Sequence, residues 1–356
     1  MGQKWLSSLS NLKIKNMKDL KKNYLGIDVS KLWFDVSLLI VLNFQKQIMI
    51  TQRFNNNPEG MKAFRKWLGS HSVTLDNNTL LVIENTGVYH RLLWAFCSKY
   101  GLQIHIGNAA NIKWSLGITR GKNDVIDSQR LCTYCYKHAD EIKATPPLNP
   151  VFLKLKDLMT SRSRLVVQLH STKNYLRELQ CTNDKALLSM LQKAHKATIE
   201  GIKKSITQIE LLITDIIEQD PAIYKNYQLI KSVPGIGHLT AVYIICCTNN
   251  FAAKPSGKQL ASYAGVVPFS HTSGISVKGK NKVHKMANKE LKKMLHLCAL
   301  TAIKYNPEFK QYFERKKTEG KNGMLVLNAI RNKLILRVVA VVNNQKLYVQ
   351  NQQIAA

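Results

Sequence analysis

The rhythm of apolar and polar positions changes partway along the chain and divides it into stretches of different character. From Asn23, short apolar runs rich in β-branched residues recur, and residues 24–29, 32–42 and 47–54 predict three strands, the first two closely joined. Asn57-Pro58 has the form of a helix cap with proline in the first turn, predicting a helix to about Leu68. A strand of buried type follows at 80–84, then a helix over 88–100, a fifth strand at 103–107 and a helix over 123–138.

The order β-β-β-α-β-α-β-α is a meander extended by parallel αβ units, the element order of a ribonuclease-H-like (RuvC-like) α/β domain, here expected over 23–145 behind a basic leader at 1–22. The proline-rich stretch Ala144-Thr145-Pro146-Pro147-Leu148-Asn149-Pro150 reads as a linker. Beyond it, Leu155, Leu158, Leu165, Leu169, Leu176 and Leu179 keep an alternating three-and-four spacing, with Arg162 and Thr172 at the intervening seam positions. Ile199, Ile202, Ile206, Ile209, Ile213 and Ile216 repeat that spacing. Such a seam predicts a helical coiled-coil spacer over 151–220, closed within one chain or across a dimer. A mostly helical C-terminal domain with a Gly- and Lys-rich loop over 265–288 is expected at 221–349.

Composition changes the picture in one respect. Lys and Arg total 52 against 22 Asp and Glu, a formal charge of +30. An excess of that size repels itself unless a polyanion neutralises it, and nucleic acid does so with release of counterions. Apolar runs such as 36–42 and 334–342 fall short of the roughly 20 residues that cross a bilayer. Lysines interrupt the first 25 residues where a signal peptide would be apolar, so a cytoplasmic protein without membrane contact is expected. Seven irregularly spaced cysteines fit reduced thiols. Cys132-x-x-Cys135 with His138 lacks a second pair at zinc-finger spacing and is read as one face of a helix.

Acidic residues are scarce, so their placement is informative. Asp28 lies in the first strand (Gly26-Ile27-Asp28-Val29-Ser30), Glu84 closes the fourth, and Asp124 and Asp127 share one face at the start of a helix. In a ribonuclease-H-like sheet the first and fourth strands are neighbours and that helix crosses their ends. Four converging carboxylates repel one another without cations. Two Mg2+ ions about 4 Å apart, or Mn2+ in their place, would offset the repulsion and clamp both oxygens of a phosphoryl displacement. Separately, Pro234-Gly235-Ile236-Gly237 between apolar helices resembles a helix-hairpin-helix, where Gly235 and Gly237 would let backbone N–H groups approach a phosphate. Ser273 before Gly274, followed by Lys278, Lys280, Lys282 and Lys285, suggests a serine in a phosphate-lined loop, with Ser270 and Ser276 as neighbours that spacing does not exclude.

Five pieces in order carry a resemblance: Gly26-Ile27-Asp28-Val29-Ser30-Lys31, Glu84-Asn85-Thr86-Gly87-Val88-Tyr89, Lys122-Asn123-Asp124-Val125-Ile126-Asp127, Pro234-Gly235-Ile236-Gly237, and Gly265-Val266-Val267-Pro268 leading to Ser273-Gly274. Together they resemble the IS110 insertion-sequence transposases, a family that also includes the Piv-type DNA invertases. The resemblance implies that Asp28, Glu84, Asp124 and Asp127 are DEDD metal ligands and that Ser273 attacks DNA to form a phosphoserine link. It implies donor and target DNA as substrates, a homo-oligomer (dimer or tetramer), and a structured non-coding guide RNA, the bridge RNA. Where the family often has Gly and Arg, this chain has Ala287 and Lys292, which keeps the charge but not the bidentate fork. Site-specific inversion and a Holliday-junction-resolvase-like nuclease are the alternative activities; a non-catalytic nucleic-acid-binding protein is the alternative class.

Overall fold

Strand β1 (Lys21–Val29) is the axis of the N-terminal sheet, pairing antiparallel with β2 (Trp33–Leu42) on one side and parallel with β5 (Thr79–Glu84) on the other. The computed structural model describes residues 21–85, 87–117, 123–147, 149–273, 277–283 and 286–349, which divide into two compact units, the second beginning at Asn149. The basic leader, apart from Lys21 and Lys22 in β1, lies outside the described residues. In the first unit, β3 (Gln45–Lys46) and β4 (Ile50–Asn55) share the outer edge of β2, and β6 (Gln103–Gly107) pairs parallel with β5. The third strand expected over 47–54 is found as β4, which begins only at Ile50, and the two-residue β3 ahead of it was not expected. Asn43 and Phe44, both at positive φ, turn β2 back into β3; Gln47 N still donates to Ile40 O, and residues 48 and 49 then precede β4.

Alternation along the strands sorts their side chains onto two faces. Leu25, Ile27, Phe34, Val36, Leu81 and Ile83 pack under α1 (Pro58–Ser70) and α2 (Arg91–Tyr100). Tyr24, Leu39, Val41, Leu80 and Val82 pack under α4 (Asp124–Lys137), with Ile112 of the short α3 (Ala109–Ser115) beside them. The caps explain the helix starts: Asn57 accepts from Gly60 N at 2.8 Å, and Asn123 from Ile126 N at 2.7 Å. Helix α3 has the same signature in Asn108, which the sequence pattern leaves unremarked because only seven residues follow. Cys132 and Cys135 are buried where α4 meets the sheet and donate to Tyr24 O and Leu80 O, so both serve the packing. Thr145 holds the start of the linker against β6, donating to Ile104 O and accepting from Ile106 N.

The second unit opens with two long helices, α5 (Pro150–Glu178) and α6 (Lys185–Glu218), joined through a 3-10 turn (Leu179–Thr182). They run antiparallel: Arg162 pairs with Glu210 at 2.6 Å near one end, and Tyr175 meets His195 edge-on nearer the turn. Arg162 interrupts the apolar spacing because it has this carboxylate across from it, and Thr172 because its hydroxyl returns to Gln168 O. The far ends of the pair, through Leu155, Met159, Ile213 and Ile217, enter one core with α7 (Pro221–Lys231), α8 (His238–Thr248), α9 (Gly257–Tyr263), α10 (Lys289–Tyr305), α11 (Pro307–Thr318) and α12 (Gly323–Asn344). Helix α12 is apolar nearly all round because it is buried, and no helix among the described residues is long and apolar enough to cross a membrane. The segment expected as a loop over 265–288 instead holds an antiparallel ribbon, β7 (Phe269–Ser273) and β8 (Val277–Lys282).

Gly26 governs how α4 sits. A Cβ there would lie 1.8 Å from Cys132 N and 2.4 Å from Ser128 O, so helix backbone rests directly on strand backbone. Gly26→Ala is predicted to cost about 3 kcal/mol or more, the upper end for overpacking a core, because neither backbone can yield independently. Urea unfolding followed by circular dichroism measures it. A change under about 0.5 kcal/mol would mean that α4 does not depend on this contact.

Candidate active site

The same alternation that buries Tyr24 and Val82 under α4 carries Gly26 and Asp28 of β1, Glu84 of β5 and Asp35 of β2 to the α4 face. Asp28 stands directly opposite Asp35 across the antiparallel pair. It lies one step beyond the Ile27–Ile83 pairing on the parallel side, where Glu84 ends β5. The Gly26 contact sets the first turn of α4 over this end of the sheet, and that turn supplies Asp124 and Asp127. Two acids in a first turn also complement the helix dipole. The four acids expected to act together are thus brought together, with a fifth, Asp35, beside them.

The electrostatics record the crowding. The Asp28 carboxyl is pushed up to about 6 from an ordinary 3.8, first by burial and then by Asp124, Asp127, Glu84 and Asp35. Arginines neutralise part of the charge. Arg53 grips Asp35 through Nε (3.0 Å to Oδ1) and a terminal nitrogen (2.8 Å to Oδ2), and that nitrogen also reaches Asp124 Oδ2 at 3.1 Å. Trp33 Nε1 donates to the same Asp124 oxygen at 3.3 Å, and the Arg53 guanidinium lies over the Trp33 ring. Arg130 holds Asp127 at 2.9 Å. Asp35 is 2% exposed, so its bidentate partner is what makes its burial tolerable.

Among the described residues no three His, Cys, Asp or Glu side chains close on one point at metal-holding distance. The donor set nevertheless fits a hard divalent cation: carboxylate oxygens alone, around an acid whose ionisation is opposed by its like-charged neighbours. Asp28, Glu84, Asp124 and Asp127 are the residues that could hold one. Local sequence pattern does not single out Asp35 or Arg53, although the tight β1–β2 connection fixes the Asp28–Asp35 register.

In the second unit, Gly235 (φ +86) turns the chain between α7 and α8, and a Cβ there would lie 2.6 Å from Cys298 O, so this glycine serves the approach of α10. Gly237 faces open space at the start of α8 and borders a cleft of about 560 Å³ lined by His238, Thr240, Cys298 and Thr301. His238 is held through Nδ1 to Tyr227 Oη at 2.8 Å, and its pKa is lowered by burial and then by Lys231. Ser273 ends β7, paired with Val277, so it lies at the far end of the ribbon from Phe269 and Lys282. Lys278, Lys280 and Lys282 belong to β8, while Ser276 and Lys285 lie outside the described residues.

Comparison with known proteins gives the class. Residues 25–180 match the DEDD transposase family of the IS110 group, and residues 227–314 match the family described as Transposase IS116/IS110/IS902. A DNA-recombination enzyme is therefore defined, and the chain belongs to the IS110 family of transposases. It is 28% identical to the pilin gene-inverting protein of Moraxella bovis over 336 residues, 92% of this chain and 98% of that one. A protein of the same name from Moraxella lacunata matches equally. The uncharacterized 43.6 kDa protein of insertion element IS110 in Streptomyces coelicolor is 24% identical over 152 residues, 43% of this chain and 36% of that one.

The raised Asp28 pKa has a signed consequence. Between about pH 4 and 6 the folded state binds a proton that the unfolded state has lost, so this group's contribution to stability falls as pH rises through that window. Asp28→Asn is predicted to stabilise the metal-free protein at pH 7.5 by about 1 kcal/mol, the two-unit shift being discounted for solvent screening. The difference should close near pH 4. Urea unfolding at the two pH values checks this, and a variant less stable than wild type at pH 7.5 contradicts it.

Proposed function

We propose that the protein is a transposase that cuts and rejoins DNA at the ends of its insertion sequence, using a two-metal DEDD site together with a serine nucleophile. The observation that carries the reading is the gathering of Asp28, Glu84, Asp124 and Asp127 on one face where the central strands end, around an acid held near 6. Two Mg2+ ions, or Mn2+, would supply charge neutralisation at the reacting phosphate and lower the pKa of an attacking hydroxyl. The chain's own part is to hold the carboxylates ready. Arg53 and Trp33 fix Asp124, Arg130 fixes Asp127, and the strands fix Asp28 and Glu84.

In this reading Ser273 Oγ bonds to phosphorus as the bond from phosphorus to the sugar oxygen breaks, and the sugar leaves with a proton as a hydroxyl. Attack of another strand's hydroxyl on the phosphoserine reverses the exchange, so the phosphodiester energy is conserved. Gly237, Lys278, Lys280, Lys282 and Lys285 would meet phosphate backbone, with Gly235 shaping the turn of a helix-hairpin-helix. The pair α5–α6 acts as a coiled-coil spacer and oligomer contact; Val167, Met190 and Leu211 on it are 63%, 68% and 59% exposed, apolar surface that a second copy would cover. A structured guide RNA fits the +30 charge as a second polyanion. Site-specific inversion is the second reading, favoured by the near full-length likeness to the pilin gene-inverting protein.

The test is denaturing electrophoresis of protein incubated with DNA carrying the element ends and with Mg2+. Ser273→Ala should lower the covalent protein–DNA adduct and joined product at least about a thousandfold, as loss of an enzymatic nucleophile does. Ser270→Ala and Ser276→Ala should retain both. Undiminished cutting by Ser273→Ala would instead define a resolvase-like nuclease that activates water.

A further inference from the structure

Five arginines of the described residues each have a carboxylate partner: Arg53 with Asp35, Arg130 with Asp127, Arg162 with Glu210, Arg315 with Glu319 and Arg337 with Glu308. Arg331 is different. It sits in α12 among Ile330, Leu334 and Ile335 and is only 6% exposed, yet no carboxylate of the described residues pairs with it. One terminal nitrogen meets His296 Nδ1 of α10 at 2.6 Å, and its Nε is buried with no hydrogen-bond partner. Burial holds the guanidinium below its usual range, and no neighbouring acid opposes that.

A buried guanidinium without an anion is costly, and an apolar side chain of similar size would fit such a core better. A guanidinium can only donate, so His296 must accept at Nδ1 and carry its proton on Nε2. The pair therefore offers an unmet Nε–H on one residue and an Nε2–H donor on the other. Lys292 stands one turn before His296 on the same face of α10 and is half-buried. Three residues before Arg331 on α12, Asn328 donates to Val266 O at 2.7 Å, which ties this helix to the segment that runs into β7.

We infer that Arg331 and His296, with Lys292 beside them, form an anion site that takes one backbone phosphate of bound nucleic acid next to the base of the β7–β8 ribbon. The phosphate supplies the counter-ion that Arg331 lacks, and binding it stiffens the junction of α10, α12 and the segment at Val266. The nucleic-acid source of the phosphate rests on the recombinase reading above; the anion site itself rests on the buried guanidinium.

Two measurements on the full-length protein test this. In the first, the thermal midpoint is compared in inorganic phosphate and in chloride at equal ionic strength, for wild type, Arg331→Met and His296→Asn. The asparagine keeps an acceptor toward Arg331 and removes the Nε2–H, so it remains informative if Arg331→Met does not fold. Phosphate should raise the wild-type midpoint by about 3 °C more than that of either variant; an equal rise in all three overturns the site. In the second, DNA affinity is followed against NaCl, and loss of one phosphate contact should lower the slope of log K against log salt by about 0.9. An unchanged slope in Arg331→Met and His296→Asn, with the phosphate effect lost, overturns the nucleic-acid assignment. A wild type that shows the phosphate rise yet binds no DNA sinks the recombinase reading and leaves the anion site standing.

Discussion

Helix α4 lies on strand β1 with no side chain between them at Gly26, and the placement of the acidic cluster follows from that contact. Close approach sets the first turn of α4 over the end of the sheet, where Asp124 and Asp127 join Asp28 and Glu84. Packing thereby does work against electrostatics, since it concentrates like charge where Asp28 is already partly buried. Arg53, Arg130 and the Trp33 indole offset part of that cost. What they leave unbalanced is the negative potential that a divalent cation would meet.

The second unit shows the opposite imbalance. Its ribbon carries Lys278, Lys280 and Lys282, and α12 buries Arg331 with no carboxylate partner among the described residues. An enzyme that handles phosphodiesters needs both kinds of surplus: carboxylates to hold cations at the reacting phosphate, and cations to hold the strand. The chain distributes them between two units joined through a short proline-rich segment whose first residues are fastened to β6.

Much of the first unit was legible because its periods are clean. Strands alternate, the Asn57-Pro58 cap marks α1, and the spacing of Asp124 and Asp127 puts them on one face. Asp35 and Arg53 were not legible from local pattern. Asp35 looks like a strand-edge acid until the register sets it opposite Asp28, and Arg53 becomes its partner only through the β2–β4 pairing. The ribbon at β7–β8 is not legible as strands because glycine and lysine mask its alternation, whereas the hydrogen-bond ladder does not depend on apolar side chains. Arg331 is hidden for another reason: an arginine in an apolar helix reads as an exposed face until Ile330, Leu334 and Ile335 around it prove buried.

The most direct measurement is isothermal titration of Mn2+ into the full-length protein at pH 6, repeated in two buffers of different ionisation enthalpy to count released protons. Asp28 is about half protonated there and must lose its proton to bind a cation. Wild type should take up Mn2+ and release a fraction of a proton, whereas Asp28→Asn should bind more weakly and without the release linked to that residue. No uptake by wild type, or identical binding and proton release in Asp28→Asn, would show that the carboxylates do not form a cation site.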